Sequence, residues 1–159
     1  MEKKYIITNE IINFNGKTLH RIKALKSFGD IKSGEVGGYI ESENNLSQEG
    51  NCWIYNDAKV WDNARVLDNA QVSGNAEVYD EAKICGNSWV WNEAKINSKA
   101  VIEENAVVGG NIEVTGFVKV GSNSRLSGAA RFDGYATISG LHLTECQDTG
   151  YYEKQHTKL

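Results

Sequence analysis

Apolar and polar positions recur along most of this chain with a period of six residues. The longest run has an apolar residue at every sixth position without a break. Its members are Ile54, Val60, Val66, Val72, Val78, Ile84, Val90, Ile96, Ile102, Val108, Val114, Val120, Leu126, Phe132 and Ile138. Thirteen of these fifteen are β-branched, a residue type that packs well on a pleated strand surface. A six-residue period does not keep one face of an α-helix aligned, so the pattern predicts strands.

A second periodic position lies two residues before each apolar one, and it is small in thirteen of fifteen repeats. Its members are Cys52, Ala58, Ala64, Ala70, Ala76, Ala82, Ser88, Ala94, Ala100, Ala106, Ile112, Val118, Ser124, Ala130 and Ala136. Alternate residues of a strand point to the same side, so both positions are predicted to face the core. Turn-forming pairs follow many of the apolar residues, because Gly and Asn tolerate positive φ and allow a bend there. Examples are Asp62-Asn63, Asp68-Asn69, Gly74-Asn75, Gly86-Asn87, Gly110-Asn111 and Ser122-Asn123.

This alternation of small and apolar residues followed by a Gly/Asn corner resembles the hexapeptide-repeat proteins, whose fold is the left-handed parallel β-helix. The resemblance covers Cys52 to Gly140 without an insertion. Three hexads form one triangular coil in that family. The resemblance therefore implies an all-β protein, a left-handed parallel β-helix of about five to six triangular coils stacked as a solenoid. Residues eighteen apart then lie on the same face in successive coils.

The repeat array divides the chain into three predicted parts. Residues 1–36 are an N-terminal hairpin cap, because two alternating apolar segments flank Asn15-Gly16, a strong hairpin signal. Residues 37–140 form the hexapeptide-repeat β-helix, with a distorted first coil. Residues 141–159 are mostly polar and lack the period, so they predict a short C-terminal cap followed by a frayed tail.

Charge and composition narrow the range of partners and compartments. The formal net charge is −4, which gives no general attraction to nucleic acid or to an anionic membrane. No run of about 18 apolar residues is present, so no membrane-spanning helix is predicted and the expected compartment is the cytoplasm. Cys52, Cys85 and Cys146 form an odd set without CxxC spacing, which argues against a disulfide framework and a zinc site.

The resemblance to hexapeptide-repeat proteins suggests acyltransferase activity, because many members of that family are acyltransferases. The catalytic features of those enzymes are missing here. They place a histidine base on the coils and extrude a loop that shapes the acyl-donor site. Here His20, His142 and His156 all lie outside the uninterrupted array, and the resemblance to three-histidine zinc carbonic anhydrases fails for the same reason. We therefore predict no catalytic residue, metal or cofactor. The corner carboxylates are assigned to turns: Asp57, Asp62, Asp68, Asp80, Glu81, Glu93 and Glu104.

Large aromatic residues sit beside the core positions instead of in them, so they are predicted to point outward. These candidate binding residues are Trp53, Tyr55, Trp89 and Trp91 on one face, with Trp61 and Tyr79 on the next. Each large aromatic buries on the order of 150–250 Å², so an exposed group of them predicts a surface that something covers. The candidates are another copy of the chain, its own ends folded back, and a foreign protein.

These observations favour a non-catalytic β-solenoid that acts as a binding or scaffold protein. We expect it to self-associate as a dimer or trimer and to bind a protein partner. The segment 19–51 resembles the leader that precedes such repeats in bacterial and phage proteins, which suggests inhibition of a bacterial defence protein. The alternatives are a divergent acyltransferase and a protein that sequesters a nucleotide-like ligand by aromatic stacking near Arg65 or Lys83.

Overall fold

Short parallel strands form most of the protein. The computed structural model describes residues 2–146, 151–153 and 156–158. Within these ranges the secondary structure is all-β except for one 3₁₀ turn at Glu43–Asn45, as the sequence predicted. The strands are β1 (Tyr5–Phe14), β2 (Lys17–Ala24), β3 (Val36–Ile40), β4 (Trp53–Ile54), β5 (Lys59–Val60), β6 (Arg65–Val66), β7 (Gln71–Val72), β8 (Glu77–Val78), β9 (Lys83–Ile84), β10 (Trp89–Val90), β11 (Lys95–Ile96), β12 (Val101–Ile102), β13 (Val107–Val108), β14 (Asn111–Val114), β15 (Lys119–Gly121), β16 (Arg125–Asp133), β17 (Thr137–Ser139), β18 (His142–Cys146), β19 (Tyr151–Glu153) and β20 (His156–Lys158).

The strands stack into three faces, and about six coils form a left-handed parallel β-helix. Face 1 contains β4, β7, β10, β13 and the start of β16, and face 2 contains β3, β5, β8, β11, β14 and the end of β16. Face 3 contains β6, β9, β12, β15 and β17. Within the repeat array, paired residues are eighteen apart, as Trp53 and Gln71 are. This register confirms three hexads per coil.

The core is filled by the two periodic positions that the sequence singled out. All thirty of these residues are buried, and the most exposed of them is Ala136, at 6%. Ser88 and Ser124 occupy small core positions, and each donates its hydroxyl proton to a backbone carbonyl three residues earlier, at 2.7 and 2.8 Å. A buried hydroxyl is tolerated when it is paired in this way. The core is therefore a continuous column along the solenoid.

A left-handed backbone conformation marks every corner of the solenoid. Positive φ recurs at every sixth residue from Gly50 to Gly140. Half of these sixteen corner residues are glycines; the others are Asn56, Asp62, Asp68, Asp80, Asn92, Ser98, Glu104 and Ser122. Glycine is favoured where neighbouring coils approach closely: a Cβ at Gly74 would lie 2.9 Å from the backbone nitrogen of Asn92. We name the corners A (after face 1), B (after face 2) and C (after face 3).

Side chains at the corners hydrogen-bond one coil to the next. The Asp68 carboxylate accepts a hydrogen bond from the backbone N–H of Gly86 at 2.9 Å. The Asp80 carboxylate accepts in the same way from Ser98 at 3.0 Å. Each pair is eighteen residues apart, so these carboxylates satisfy backbone donors of the following coil. Their predicted structural role in the turns is confirmed at these positions.

The N-terminal segment forms the predicted hairpin and extends one face of the solenoid. β1 and β2 pair antiparallel across Asn15 and Gly16, which both have positive φ. β2 pairs antiparallel with β3, and β3 pairs in parallel with β5. The hairpin is therefore continuous with the sheet of face 2 and lies beyond its first strand.

Lys4 and Tyr5 close the end of the core beneath the first full coil. Lys4 is 1% exposed. Its ammonium group donates to the carbonyls of Gly50 and Cys52 at 3.2 and 2.9 Å. Burial lowers the pKa of Lys4, and burial also raises the pKa of the Cys52 thiol beside it. The Tyr5 hydroxyl donates to the Leu46 carbonyl at 2.6 Å. These contacts tie the start of the chain to segment 46–52.

Three further strands follow the array, where the sequence predicted a cap and a frayed tail. β18 and β19 pair in parallel with β16, and β20 pairs in parallel with β17. The described part of segment 141–159 therefore adds strands to all three faces. The six-residue period did not predict these strands, because the spacing between them departs from six residues. Residues 147–150, 154–155 and 159 of the predicted tail lie outside the described residues.

Candidate functional site

Trp53 lies under the N-terminal segment and is completely buried. Phe28 and Tyr5 meet its ring edge-on, with centroid distances of 5.4 and 6.3 Å. Gly37 passes so close that a Cβ there would lie 2.7 Å from the indole. Of the three candidate covers, the chain's own N-terminal segment is the one that lies over Trp53, so this residue is not available as a binding residue.

Tyr55 follows Trp53 on face 1 and is half-buried. Its hydroxyl donates to the Asp30 carboxylate at 3.0 Å. Burial, the hydrogen bond to Asp30 and the charge of that carboxylate all raise the pKa of Tyr55, so the phenol stays protonated. Since its hydroxyl is already bound to the N-terminal segment, Tyr55 contributes little free surface.

Trp61 and Tyr79 on face 2 are covered in a similar way by the hairpin. Their rings stack at 4.6 Å with an interplanar angle of 8°, and Phe14 of β1 packs edge-on against Trp61 at 5.5 Å. Trp61 is 3% exposed, so it too is covered by the chain's own N-terminal segment and is not available as a binding residue. Tyr79 is half-buried, burial raises its pKa, and its hydroxyl accepts a hydrogen bond from the Asn97 amide at 3.0 Å. The stack anchors the hairpin to face 2.

Of the six predicted aromatic residues only Trp89 is exposed, and Trp91 lies beside it. Trp89 is 43% exposed, and its indole N–H donates to the Ser73 hydroxyl at 2.9 Å. Trp91 is partly buried, and its ring crosses the backbone of Gly109, where a Cβ would overlap the indole. The two ring centroids are 5.8 Å apart. We call Trp89 and Trp91, with Ser73 and Gly109 beneath them, the tryptophan surface.

A groove runs along corner C beside the tryptophan surface. One wall is a column of asparagines eighteen residues apart, and the other is the outward side of face 1. We call it the amide groove; its lining residues are Gly29, Asp30, Asn51, Asn69, Gln71, Asn87, Ser88, Trp89, Asn105, Val107 and Arg125. Trp89 belongs to both features, so the exposed ring lies at the side of a polar channel.

The asparagine column is ordered by its own hydrogen bonds. The Asn69 side-chain oxygen accepts from the backbone N–H of Asn51 at 3.2 Å, and its amide nitrogen donates to the Asn87 oxygen at 3.2 Å. Sequence reasoning treated these asparagines only as turn residues. Reading the corner at intervals of eighteen residues gives Asn51, Asn69, Asn87, Asn105 and Asn123, a signal that could have found the column.

A second exposed aromatic group, also missed from the sequence, lies at corner B. Phe117 and Tyr135 stack at 4.6 Å with an interplanar angle of 4°, and they are 48% and 63% exposed. The Lys99 ammonium lies 5.5 Å from the centre of the Phe117 ring. Lys99, Phe117 and Tyr135 are eighteen residues apart, so they form one column along the corner.

The basic residues named for a nucleotide-like ligand lie on a different face from the tryptophans. Arg65 and Lys83 are neighbours on face 3, in β6 and β9. Trp89 lies in β10 on face 1. One ligand of nucleotide size would have to reach around corner C to contact both groups. The structure therefore does not bring together the stacking and phosphate contacts of that alternative.

The histidines are distributed between the cap and the last strands. His20 lies in β2, whereas His142 lies in β18 with its backbone in register with Arg125 of face 1. His142 is exposed, so a histidine does reach the coil surface at the C-terminal end. His156 is in β20, in register with Thr137. Both residues were expected in an irregular tail, and the structure corrects this by placing them in strands.

The described residues contain no cluster of three or more His, Cys, Asp or Glu side chains that could hold a metal ion. No helix in the same part of the chain has the length and apolar character needed to cross a bilayer.

Comparison with known proteins gives a partial match. The chain matches no protein-family model. It is similar to an uncharacterised acetyltransferase, YdcK, of Escherichia coli (strain K12), with 45% identity over 42 residues. Those residues are 26% of this chain, which spans 13% of the length of that relative.

Proposed function

We propose that this chain, a parallel β-solenoid of about six coils built from six-residue repeats, is a non-catalytic binding scaffold. Its contact surface is the tryptophan surface. The observation that carries the proposal is the exposure of Trp89, at 43%, next to Trp91 on a rigid face. Exposed aromatic side chains on rigid elements supply contact area at low conformational cost. Trp53 and Trp61 take no part, because the cap covers both.

The tryptophan surface is tested with a charged double variant, Trp89→Glu with Trp91→Glu. The control is Lys83→Glu with Thr137→Glu, which places two glutamates on face 3. We expect the first variant to abolish partner capture in a pulldown, because two carboxylates replace the aromatic contact, and the control to retain it. Circular dichroism would establish that both variants fold. Equal capture by both variants contradicts the proposed surface.

We propose that self-association uses the aromatic pair at corner B. Phe117 and Tyr135 are both strongly exposed, and their stacked rings give an apolar contact that a second copy would cover. Light scattering should give the mass of a dimer or trimer for the native chain. Phe117→Glu with Tyr135→Glu should reduce it to the mass of one chain. An unchanged mass would show that the contact between copies lies elsewhere.

The first candidate protein partner is a bacterial defence protein. The support is the resemblance of segment 19–51 to leader segments of bacterial and phage proteins. Co-expression with single defence proteins, followed by affinity purification, tests this choice. Capture that survives the tryptophan substitutions would contradict a contact through Trp89.

Acetyl transfer is the second candidate function, and two observations favour it. His142 is an exposed potential base on the coil surface beside Arg125, and the partial match is to a protein named as an acetyltransferase. Calorimetry with acetyl-coenzyme A separates the two functions. The scaffold proposal expects no saturable heat. Saturable micromolar binding, together with acetyl transfer that His142→Ala abolishes, would replace it with the enzyme.

A further inference from the structure

We infer that the amide groove binds a neutral, hydroxyl-rich oligosaccharide. This inference goes beyond the proposed function, because it assigns a carbohydrate ligand to the groove beside Trp89, whereas the scaffold proposal concerns a protein partner. The groove has three features that bear on its ligand: a column of side-chain amides, an exposed indole ring of fixed orientation, and a central stretch without charge.

The length of the groove suits a chain of sugars better than a single one. Asn51 and Asn105 lie three coils apart, which corresponds to about 14 Å at the spacing of neighbouring β-strands. The amides repeat once per coil along this length. An extended ligand with regularly repeated polar groups can therefore meet a similar amide in each coil.

Amide side chains match the hydrogen-bonding chemistry of hydroxyl groups. An amide offers both donors and an acceptor, and a hydroxyl can also act as either. Asn69 uses one N–H toward Asn87 and its oxygen toward the Asn51 backbone, so its second N–H and second lone pair stay available to a ligand. The hydrogen bonds along the column orient these groups before a ligand arrives, which reduces the entropy lost on binding.

Trp89 supplies an apolar platform at the side of the column. Its hydrogen bond to Ser73, at 2.9 Å, holds the indole in one orientation while 43% of the residue stays exposed. A pyranose ring has one face rich in C–H groups, which can lie on the indole while the hydroxyls at its rim reach the amides. Aromatic rings next to a few polar groups are a common composition of ligand sites.

The charges of the groove lie at its two ends and argue against a polyanion. Asp30 accepts the Tyr55 hydroxyl at 3.0 Å near the N-terminal end, and Arg125 is exposed at the other end. Binding of a nucleic acid depends mainly on several cations that contact phosphates. A groove with one carboxylate and one guanidinium lacks them, so a neutral ligand fits it better.

The test titrates the purified full chain with short cello-, chito- and xylo-oligosaccharides and follows tryptophan fluorescence. We expect saturable quenching by at least one series, and a loss of affinity on the order of tenfold in Trp89→Ala. Asn87→Asp keeps an oxygen for Asn69 but removes the amide donors, so it should also weaken binding. Trp61→Phe is the matched control, because it removes an indole beneath the hairpin and should leave the affinity unchanged.

The outcomes separate this inference from the proposed function. Saturable binding that needs Trp89 and Asn87 supports the oligosaccharide. The absence of binding to all three series, with protein capture that still depends on Trp89 and Trp91, overturns the oligosaccharide and leaves the scaffold proposal intact. Saturable binding that Trp89→Ala leaves unchanged also overturns this inference, since the ligand then lies outside the groove. If the native chain binds none of the three oligosaccharide series and captures no protein partner, both proposals are wrong.

Discussion

Trp53 and Trp89 occupy the same column of face 1, two coils apart, yet their surroundings differ completely. Each directly precedes a core isoleucine or valine in a two-residue strand. Trp53 is 0% exposed and is enclosed by the rings of Tyr5 and Phe28, whereas Trp89 is 43% exposed and touches solvent along its groove. The repeat therefore determines which way a side chain points but not whether something covers it.

The difference between these two tryptophans comes from the non-repeating N-terminal segment. It covers the first coil on face 1 through Phe28, and it covers Trp61 on face 2 through Phe14. It does not cover Trp89, so that ring stays exposed. Aromatic residues thus anchor the cap at the N-terminal end and are exposed further along the solenoid.

The largest expected effect is the difference in stability between two single variants, Trp53→Ala and Trp89→Ala. Trp53→Ala leaves a cavity between the cap and the first coil and should lower the free energy of unfolding by about 3–5 kcal/mol. Trp89→Ala removes an exposed ring and should cost less than about 1 kcal/mol. Urea unfolding followed by circular dichroism measures both. Equal losses in the two variants would mean that the cap does not protect Trp53 in solution.

The same contrast shows what the sequence could predict. The coil register, the core positions and the corners follow from one period, because each hexad repeats the same short-range chemistry. The outward direction of Trp53 follows from that period as well. The burial of Trp53 does not follow from the period, because Phe28, which covers it, belongs to an irregular segment. The path of that segment depends on long-range contacts such as that between Lys4 and Cys52.

The candidate site was predictable only in part for the same reason. Trp89 and Trp91 were identified from the hexad phase, and both lie on face 1 as predicted. The amide groove requires reading residues eighteen apart at a corner, where Asn also serves the turn, so the six-residue period conceals it. The strands that carry His142 and His156 depart from the period and left no signal in it.

A second test concerns the two glycines that directly follow core residues in the array. Gly109 lies under the Trp91 ring, so a methyl group there would overlap the indole. Gly121 occupies the equivalent hexad position, but the nearest neighbour of a Cβ there is the Glu103 side chain at 3.4 Å, an ordinary contact. We expect Gly109→Ala to cost about 1–3 kcal/mol by overpacking.

Gly121→Ala is the matched control for that substitution. Its φ is not in the left-handed region, so alanine should be neutral or stabilise the protein by up to about 1 kcal/mol. Thermal unfolding of both variants, with Trp91 emission as a second readout, makes the comparison. A neutral Gly109→Ala with unchanged emission would mean that Trp91 does not rest on this glycine.

The stability of the protein at alkaline pH should depend on Tyr5, which is buried at the N-terminal end of the solenoid. Burial, followed by the charges of Glu43 and Cys52, raises the pKa of Tyr5 above its ordinary value of 10.0. The folded state then keeps a proton that the unfolded state loses, so stability is complete below pH ~10 and falls as the pH rises further. Urea midpoints at pH ~8 and ~11 should differ less in Tyr5→Phe than in the native chain. An equal difference would assign the alkaline loss to other groups.

The smallest expected effect concerns the hydrogen bond that orients Trp89. Ser73→Ala removes the acceptor of its indole N–H, which lies 2.9 Å from the hydroxyl oxygen. Because the pair is at the surface and water can replace the hydroxyl, stability should change by no more than about 0.5 kcal/mol. The ring should nevertheless become more mobile, which fluorescence anisotropy of a variant with Trp91→Phe would detect. If anisotropy is unchanged, packing against face 1 alone orients Trp89, and the contrast with Trp53 lies only in their exposure.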